Sequence, residues 1–497
     1  MQLFSSKNAI ISFGFCSLMS CCFAQSAAIR DINHIDTAPV ALAPLRFLAS
    51  DELMGRGITR PEINIAARYI SEQFKSLGLK ECSGTTDYFQ TFNIKMVTPA
   101  STGALTVNNK TYEAGNDILQ VEGEDMQMNA PIVYAGFGAK ADLDKANVKG
   151  KIVVTDMGRN DSSNFGDAFE LMQTKLADVH ERGGFALIER FKQGGPSWKG
   201  LKRYLISEQV KEDSAQIGLF LINDSAVNLP ALLRNNPANA SLTITGTKIK
   251  MIPAKNVMGW VEGTDARLKN QFVVLSAHYD HLGIASKPKM EEGKMDSIYN
   301  GARDNAIGTT AVIDAARYFV QHPAKRSVLF LAYTAEEIGE VGSKYFADHS
   351  TIPLKQLVYN FNIDNASYND TTIVSVIGLG RTSADESIKK ACAAYGLTAM
   401  PDPAPEQNLF DRSDNTNLAV KGIPAPTFSL GIRKFDEEIN KRYHQLSDEV
   451  GNFNLNYGIK YIRSFILAAK YVADTPKQPE WIKGDKYEPA WKSLYGK

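Results

Sequence analysis

The sequence predicts an α/β fold: a mainly parallel twisted sheet with helices on both faces, interrupted by an inserted β-rich domain. Three observations lead there. Gln271–Ala277 (QFVVLSA), Ser327–Tyr333 (SVLFLAY) and Leu357–Ile363 (LVYNFNI) are nearly unbroken apolar runs, the pattern of strands buried on both faces. Helical patterns alternate with such runs after Asn256, as a layered sheet requires. From about Val97 to Ile249 the texture changes to short β-rich pieces separated by Gly and Asn, which marks an insertion.

Taken in order, Lys7, the apolar stretch Ala9–Met19 and the small residues up to Ala24 read as a secretory signal with cleavage after Ala24, too short to span a bilayer. Leu18-Met19-Ser20-Cys21 makes a lipid anchor on Cys21 the lesser alternative. Within Arg60–Lys80, Ala66, Ala67, Ile70, Phe74 and Leu77 form a helical stripe, closed by Gly78 at a C-cap position. The insertion holds strands at Ala104–Val107, Ile132–Tyr134, Lys151–Thr155, Ala186–Ile188, Gly218–Ile222 and Leu242–Thr245, and one helix whose apolar face is Ala168, Leu171, Met172, Leu176 and Val179. Its GFGAKA segment (136–141) lies too close to the next strand to open a dinucleotide-binding helix and reads as a plain turn. Beyond the insertion, strand 271–277 leads through a long loop to a helix over about Ile307–Phe319, and strand 327–333 to a helix through Tyr345. Strands 357–363, 371–377 and 425–430 follow, then a helix over about Asn454–Val472 and a tail with Trp481 and Trp491, expected to drape on the surface. The predicted organisation is therefore 1–24 signal peptide, 25–96 first part of the main domain, 97–249 insertion, 250–475 main domain and 476–497 tail.

A chain of 497 residues with 44% hydrophobic and 22% charged content has the composition of a globular protein of two or three units. Lys+Arg and Asp+Glu balance at 55 each, so no basic field favours nucleic acid or anionic lipid. Three of the five cysteines lie in the signal segment; Cys82 and Cys392 alone cannot build a disulfide framework. The mature protein is expected outside the cytoplasm, periplasmic or secreted, with no integral membrane span.

The chemistry lies where the apolar runs stop. His278 and Asp280 follow the first run, Glu336 and Glu337 the second and Asp364 the third. In open α/β sheets ligands collect beyond the carboxyl ends of strands, so these residues should converge, and crowded carboxylates with imidazoles call for cations. His278 and Asp280 share one face of an extended segment, which places Asp280 to hold the second nitrogen of a ligating imidazole. Asp304 sits in a Gly-Ala turn before a helix, where one carboxylate can bridge two metals. Of the Glu pair one can hold a metal while the other serves as general base; Asp364 and His444 can complete the two shells. His281, one position beyond Asp280, is expected to support a ligand from behind or to line the pocket rather than to ligate. Such shells suit zinc, with manganese or cobalt as alternatives. HExxH, GxSxG and Walker signatures are all absent.

SAHYDHLG (276–283), YNGARDNAIG (299–308), LAYTAEEIGEVGSKYF (331–346), NIDN (362–365) and YHQLSDE (443–449), with ASDELMGRG (49–57) before them, resemble in order the motifs of the co-catalytic zinc peptidases that include aminopeptidase Y and glutamate carboxypeptidase. The resemblance implies a zinc-exopeptidase-like fold and two zinc ions per chain. His278, Asp304 and Asp364 would hold one, and Asp304, Glu337 and His444 the other, with Glu336 as general base on a metal-bridging water and Asp280 orienting His278. It also implies that the insertion is a protease-associated domain and that the substrate is a peptide cleaved at its N-terminal bond. A glutaminyl cyclase or carboxypeptidase of the same fold, or a receptor-like binding protein, remain the alternatives. Two positions depart from the family pattern: Arg303, where an acidic residue is common, and Asn415, where many relatives have His.

Overall fold

The computed structural model describes residues 27–191, 195–211, 217–224, 228–233, 238–291 and 293–497. The expected signal segment and its cysteines lie outside them. The chain forms two compact units: residues up to Phe92 together with Pro253–Lys497, and Asn93–Ile252. Among the described residues no helix is long and apolar enough to cross a membrane.

In the first unit, helix α1 (Ile63–Leu77) ends as its sequence demands, with Gly78 left-handed at φ 75°. The sheet uses β1 (Phe89–Thr98), β2 (Lys248–Val261), β3 (Phe272–His278), β4 (Ser327–Tyr333), β5 (Leu357–Ile363), β6 (Ile373–Ile377), β7 (Thr398–Met400) and β8 (Thr427–Ser429), in the order β7-β6-β8-β5-β3-β4-β2-β1. Helices α2 (Ile307–Gln321), α3 (Val341–Asp348), α4 (Asp385–Ala394), α5 (Leu455–Asp474) and α6 (Glu488–Tyr495) accompany it.

The strand runs at β3, β4 and β5 are buried at every position because both faces are covered. Leu329 and Leu331 pack with Phe346 of α3 on one face. Phe330, pointing the other way, meets Phe74 of α1 and Phe319 of α2. Pairing is parallel at the centre, where β3 lies between β4 and β5 and β5 adjoins β8. On the flanks β2 runs antiparallel to β4, and β6 to β8. The sheet is thus mixed rather than mainly parallel, because unbroken apolarity reports burial on both faces and carries no information about strand direction.

Two further expectations are corrected. The long loop after β3 contains a hairpin, Gly283–Glu291 paired with Lys294–Tyr299. The C-terminal tail does not drape on the surface: Trp481 and Trp491 are buried in a small core with Phe410 and Tyr487, and Trp481 Nε1 donates to the Gly422 carbonyl at 3.2 Å. Cys82 and Cys392 are both buried free thiols.

The second unit carries an eight-stranded sheet in the order Lys110–Glu113, Thr102–Val107, Ala238–Thr245, Met126–Tyr134, Ile152–Asp156, Ala186–Arg190, Gly218–Ile222, Ile118–Glu122. The helix Phe165–Glu181 lays Met172, Leu176 and Val179 on Val153, Leu187 and Leu219. Opposite them, Ile152, Ile188, Phe220 and Leu242 form a separate core. The GFGAKA turn leads into a short helix, Lys140–Ala146, absent from the sequence-based expectation. Lys175 and Glu189 form a buried ion pair at 3.1 Å.

Candidate metal centre at the carboxyl edge of the sheet

His278 is the last residue of β3, in register with Tyr333 at the end of β4, and Thr309 of α2 donates to its carbonyl at 2.8 Å. These ties fix an imidazole that is itself buried. Its Nε2 lies 3.4 Å from both Asp304 Oδ1 and Asp364 Oδ1, and 3.9 Å from Glu336 Oε2. Its Nδ1 lies 3.8 Å from Asp280 Oδ1 and 3.3 Å from the Asp280 carbonyl. The Asp280 carboxylate also accepts the amides of Glu336 at 3.2 Å and Glu337 at 3.3 Å, which holds the glutamate pair at the end of β4.

Asp304 occupies the bend before α2. Asp448 accepts the backbone amides of Arg303 and Asp304 at 2.9 and 3.1 Å. Asn305 reaches the Ile363 carbonyl of β5 at 2.7 Å and accepts from Asn365, tying this bend to the strand that delivers Asp364. Arg303 turns from the cluster into an ion pair with Asp448 at 3.0 Å and lies over the Tyr368 ring. The reversed charge is therefore neutralised locally.

Glu337 faces two imidazoles, with Oε1 2.6 Å from His281 Nδ1 and Oε2 3.2 Å from His444 Nε2. His444 Nε2 is also 3.2 Å from Asp304 Oδ2. Two sets of donor atoms, His278/Asp304/Asp364 and His281/Asp304/Glu337, each lie within 4.8 Å of one another and share Asp304. His281 is thus a buried, bonded member of the cluster and is not among the residues that line the adjacent cavity.

The electrostatics follow from crowding. Burial drives the Glu336 carboxyl well above its ordinary range; His278 opposes this, while Asp364, Asp414 and Glu337 reinforce it. Burial also raises Asp280, to about 6. For Asp304 and Glu337 burial acts upward but loses to the imidazoles: His278 and His444 hold Asp304 far down, and His281 and His444 hold Glu337 at about 2. Burial lowers the His444 pKa, yet Asp304 and Glu337 carry it up to about 10. The cluster thus draws positive charge onto imidazoles, the behaviour of a donor set whose natural counter-charge is a divalent cation. Its nitrogen and oxygen atoms, Asp304's two oxygens turned to different imidazoles, and the absence of a thiolate fit borderline metals such as zinc.

A cavity of about 320 Å³ opens onto the cluster, lined by Asp304, Glu336, Glu337, Asp364 and His444 and, among apolar residues, by Ile377, Leu409, Ile432 and Phe435. Arg412 and Ser413 also line it, whereas Asn415 is buried and bonds the Ala425 carbonyl. All seven residues singled out from the sequence meet at this edge. What sequence reasoning missed is the frame behind them: Asp448, Asn305, Asn365 and Arg56. Their motifs were visible, but one-residue roles inside a motif need the partner's position.

Such an edge, with two donor sets sharing a carboxylate next to a cavity, is that of a metal-dependent hydrolase. Residues 256–465 match the model of Peptidase family M28. The chain is 23% identical over 382 residues to aminopeptidase YwaD of Bacillus subtilis, covering 74% of each chain. It is 23% identical over 239 residues to aminopeptidase Y of Saccharomyces cerevisiae, covering 45% of this chain and 38% of that one. Its fold is similar to that of an aminopeptidase from Aneurinibacillus sp. strain AM-1, with a TM-score of 0.56 and 21% identity over 90% of this chain and 97% of the other.

Proposed function

We propose that the protein is a zinc-dependent aminopeptidase that hydrolyses the N-terminal bond of peptides. The observation that carries this reading is the pair of donor sets joined at Asp304, with Glu336 beside them and in neither. His278, Asp304 and Asp364 would hold one zinc, and Asp304 and Glu337 the second together with His444, whose Nε2 lies 3.2 Å from an oxygen of each, while His281, the imidazole of the second donor set, would fix the Glu337 carboxylate through its 2.6 Å contact. When bound, such metals polarise the scissile carbonyl and acidify water. Glu336 takes a proton from the attacking water and returns it to the leaving amine. Its carboxylate reaches toward the cavity while its amide is pinned by Asp280. Asp280 orients His278 and the glutamate pair together.

The apolar side chains in the cavity, Ile377, Leu409, Ile432 and Phe435, suit the side chain of an N-terminal residue, beside polar groups from Glu340 and Arg412. The 93–252 unit, a β-rich insertion with one long helix and no member of the metal cluster, is read as a protease-associated domain. The export signal proposed for residues 1–24 fits a peptidase acting outside the cytoplasm. The test is a panel of free and N-blocked peptides, with and without chelator, on the wild type and Glu336→Gln. Cleavage confined to free N-termini, abolished by chelator and reduced about 10²–10⁴-fold in the fully metallated variant, is expected. Cleavage of blocked peptides alone would overturn the aminopeptidase reading, and full turnover by Glu336→Gln would remove Glu336 as base.

A further inference from the structure

Arg56 lies outside the metal cluster and is fully buried. All five guanidinium N–H groups are used, and every acceptor is a backbone carbonyl. Nε donates to Tyr279 at 2.8 Å; Nη1 donates to Leu48 and, at 2.5 Å, to Asn300; Nη2 donates to Gly301 at 3.0 Å and to Asp304 at 3.5 Å. Among the described residues no carboxylate is within ion-pair distance of it. The charges of Asp280, Asp304, Asp448 and Glu337 act on it only from further off. In the other direction, the Arg56 carbonyl accepts the amide of His281 at 3.2 Å.

The three segments joined here have different roles. Tyr279 stands between His278 and Asp280, Asn300–Asp304 is the bend that presents the shared carboxylate, and Leu48 belongs to the N-terminal segment, which supplies no donor to the cluster. Five carbonyl dipoles directed at one point repel each other unless a cation with a fan of donors sits at their focus. The guanidinium is that group, and an ammonium with three N–H bonds and no planar fork cannot replace it. The backbone around Arg56 is bent to deliver it: Met54, Gly55 and Arg56 are all left-handed, at φ 47°, 69° and 50°. A Cβ on Gly55 would stand 2.2 Å from the Gly283 carbonyl oxygen and 2.7 Å from that of Tyr299, so the bend is pressed against the loop that follows His281.

We infer that Arg56 is a positioning residue for the metal centre, locking the His278–His281 and Gly301–Asp304 loops into the spacing that lets both donor sets close on a metal. This rests on the two-metal reading above. It makes the N-terminal segment part of the centre although none of it touches a metal, and linkage makes the coupling reciprocal: metal binding must in turn stabilise that segment.

The experiment titrates zinc into metal-free wild type and Arg56→Lys against a chromophoric chelator, and follows melting of both metal-free proteins. Wild type is expected to take two zinc ions; fewer would count against the two-metal reading and not against Arg56. Arg56→Lys is expected to bind at least one zinc about 10–100-fold more weakly, the usual effect of losing a group that supports ligands from behind. Wild-type zinc affinity in Arg56→Lys, even with a lowered melting temperature, would make Arg56 a structural residue only and overturn the proposal. Should Arg56→Lys not fold, hydrogen exchange on the wild type decides. Zinc is expected to slow exchange of amides within 45–57, and unchanged exchange there would refute the coupling.

Discussion

Asp36 and Asp314 are both buried, and the charge of Asp36 acts on Asp314, so ionising both carboxyls is opposed. The charged groups around them are Arg317 of α2, which pairs with Asp314, and Arg463 of α5, whose Nε is 3.6 Å from Asp36 Oδ2 and whose Nη2 donates to the Asp36 carbonyl at 2.6 Å. The phenols of Tyr69 and Tyr395 complete the surroundings. Burial outweighs Arg463 and raises the Asp36 pKa from 3.8 to about 6, and burial together with Asp36 raises Asp314 well above its ordinary value. The folded-state value exceeds the unfolded one, so the stability this group contributes is complete below pH 3.8 and is lost as pH rises through about 6. A shift of about two units corresponds to about 3 kcal/mol. Asp36→Asn keeps the shape and hydrogen-bonding ability of the protonated acid at every pH. Relative to wild type it is expected to be about 3 kcal/mol better off at pH 8 than at pH 4, which melts at the two pH values read as a gain of several degrees. Comparing the variant's offset at two pH values cancels whatever the substitution does to packing. An offset that does not change with pH would refute the raised Asp36 pKa.

Two further outcomes test the energetics of the fold. In the second unit, burial lowers the Lys175 pKa and raises that of Glu189 to about 7, while the pairing of the two opposes both shifts. Lys175→Met should destabilise by about 3–5 kcal/mol by leaving a buried carboxylate alone, and adding Glu189→Leu should restore most of it, as read by chemical denaturation. Trp481→Ala should cost about 3–5 kcal/mol in the first unit by opening a cavity among Phe410, Tyr487 and Trp491; a neutral result would return the tail to the surface.

The central strands and the chemistry at their ends were legible because both are local: an apolar run and the polar residue that stops it are adjacent in sequence. β4 and β5 match the expected runs to the residue, and β3 is displaced by one. Strand direction was not legible, since β2 and β6 are as apolar where they pair as their parallel neighbours. The hairpin after β3 was hidden because it is largely exposed and lacks a buried face to impose alternation. The tail was misread because its tryptophans lie among lysines and prolines, while the partners that bury them, Phe410 and the Gly422 carbonyl, are some sixty or more residues earlier. Arg56 was invisible for the same reason: an arginine between glycines looks like surface until its acceptors are known.

The bonds from Arg56 to Asn300, Gly301 and Asp304 span 244 to 248 residues of chain. At roughly 5–20 residues per second of synthesis, the arginine leaves the ribosome some tens of seconds before the carbonyls it needs. In that interval residues 93–252, which pack among themselves, can fold, whereas helix α1 and the segment carrying Arg56 have no sheet to settle on. His444 emerges later still. The carboxyl edge of the sheet is therefore among the last parts of the molecule to be assembled, and a nascent or truncated chain that ends within the inserted unit carries none of the proposed metal donors.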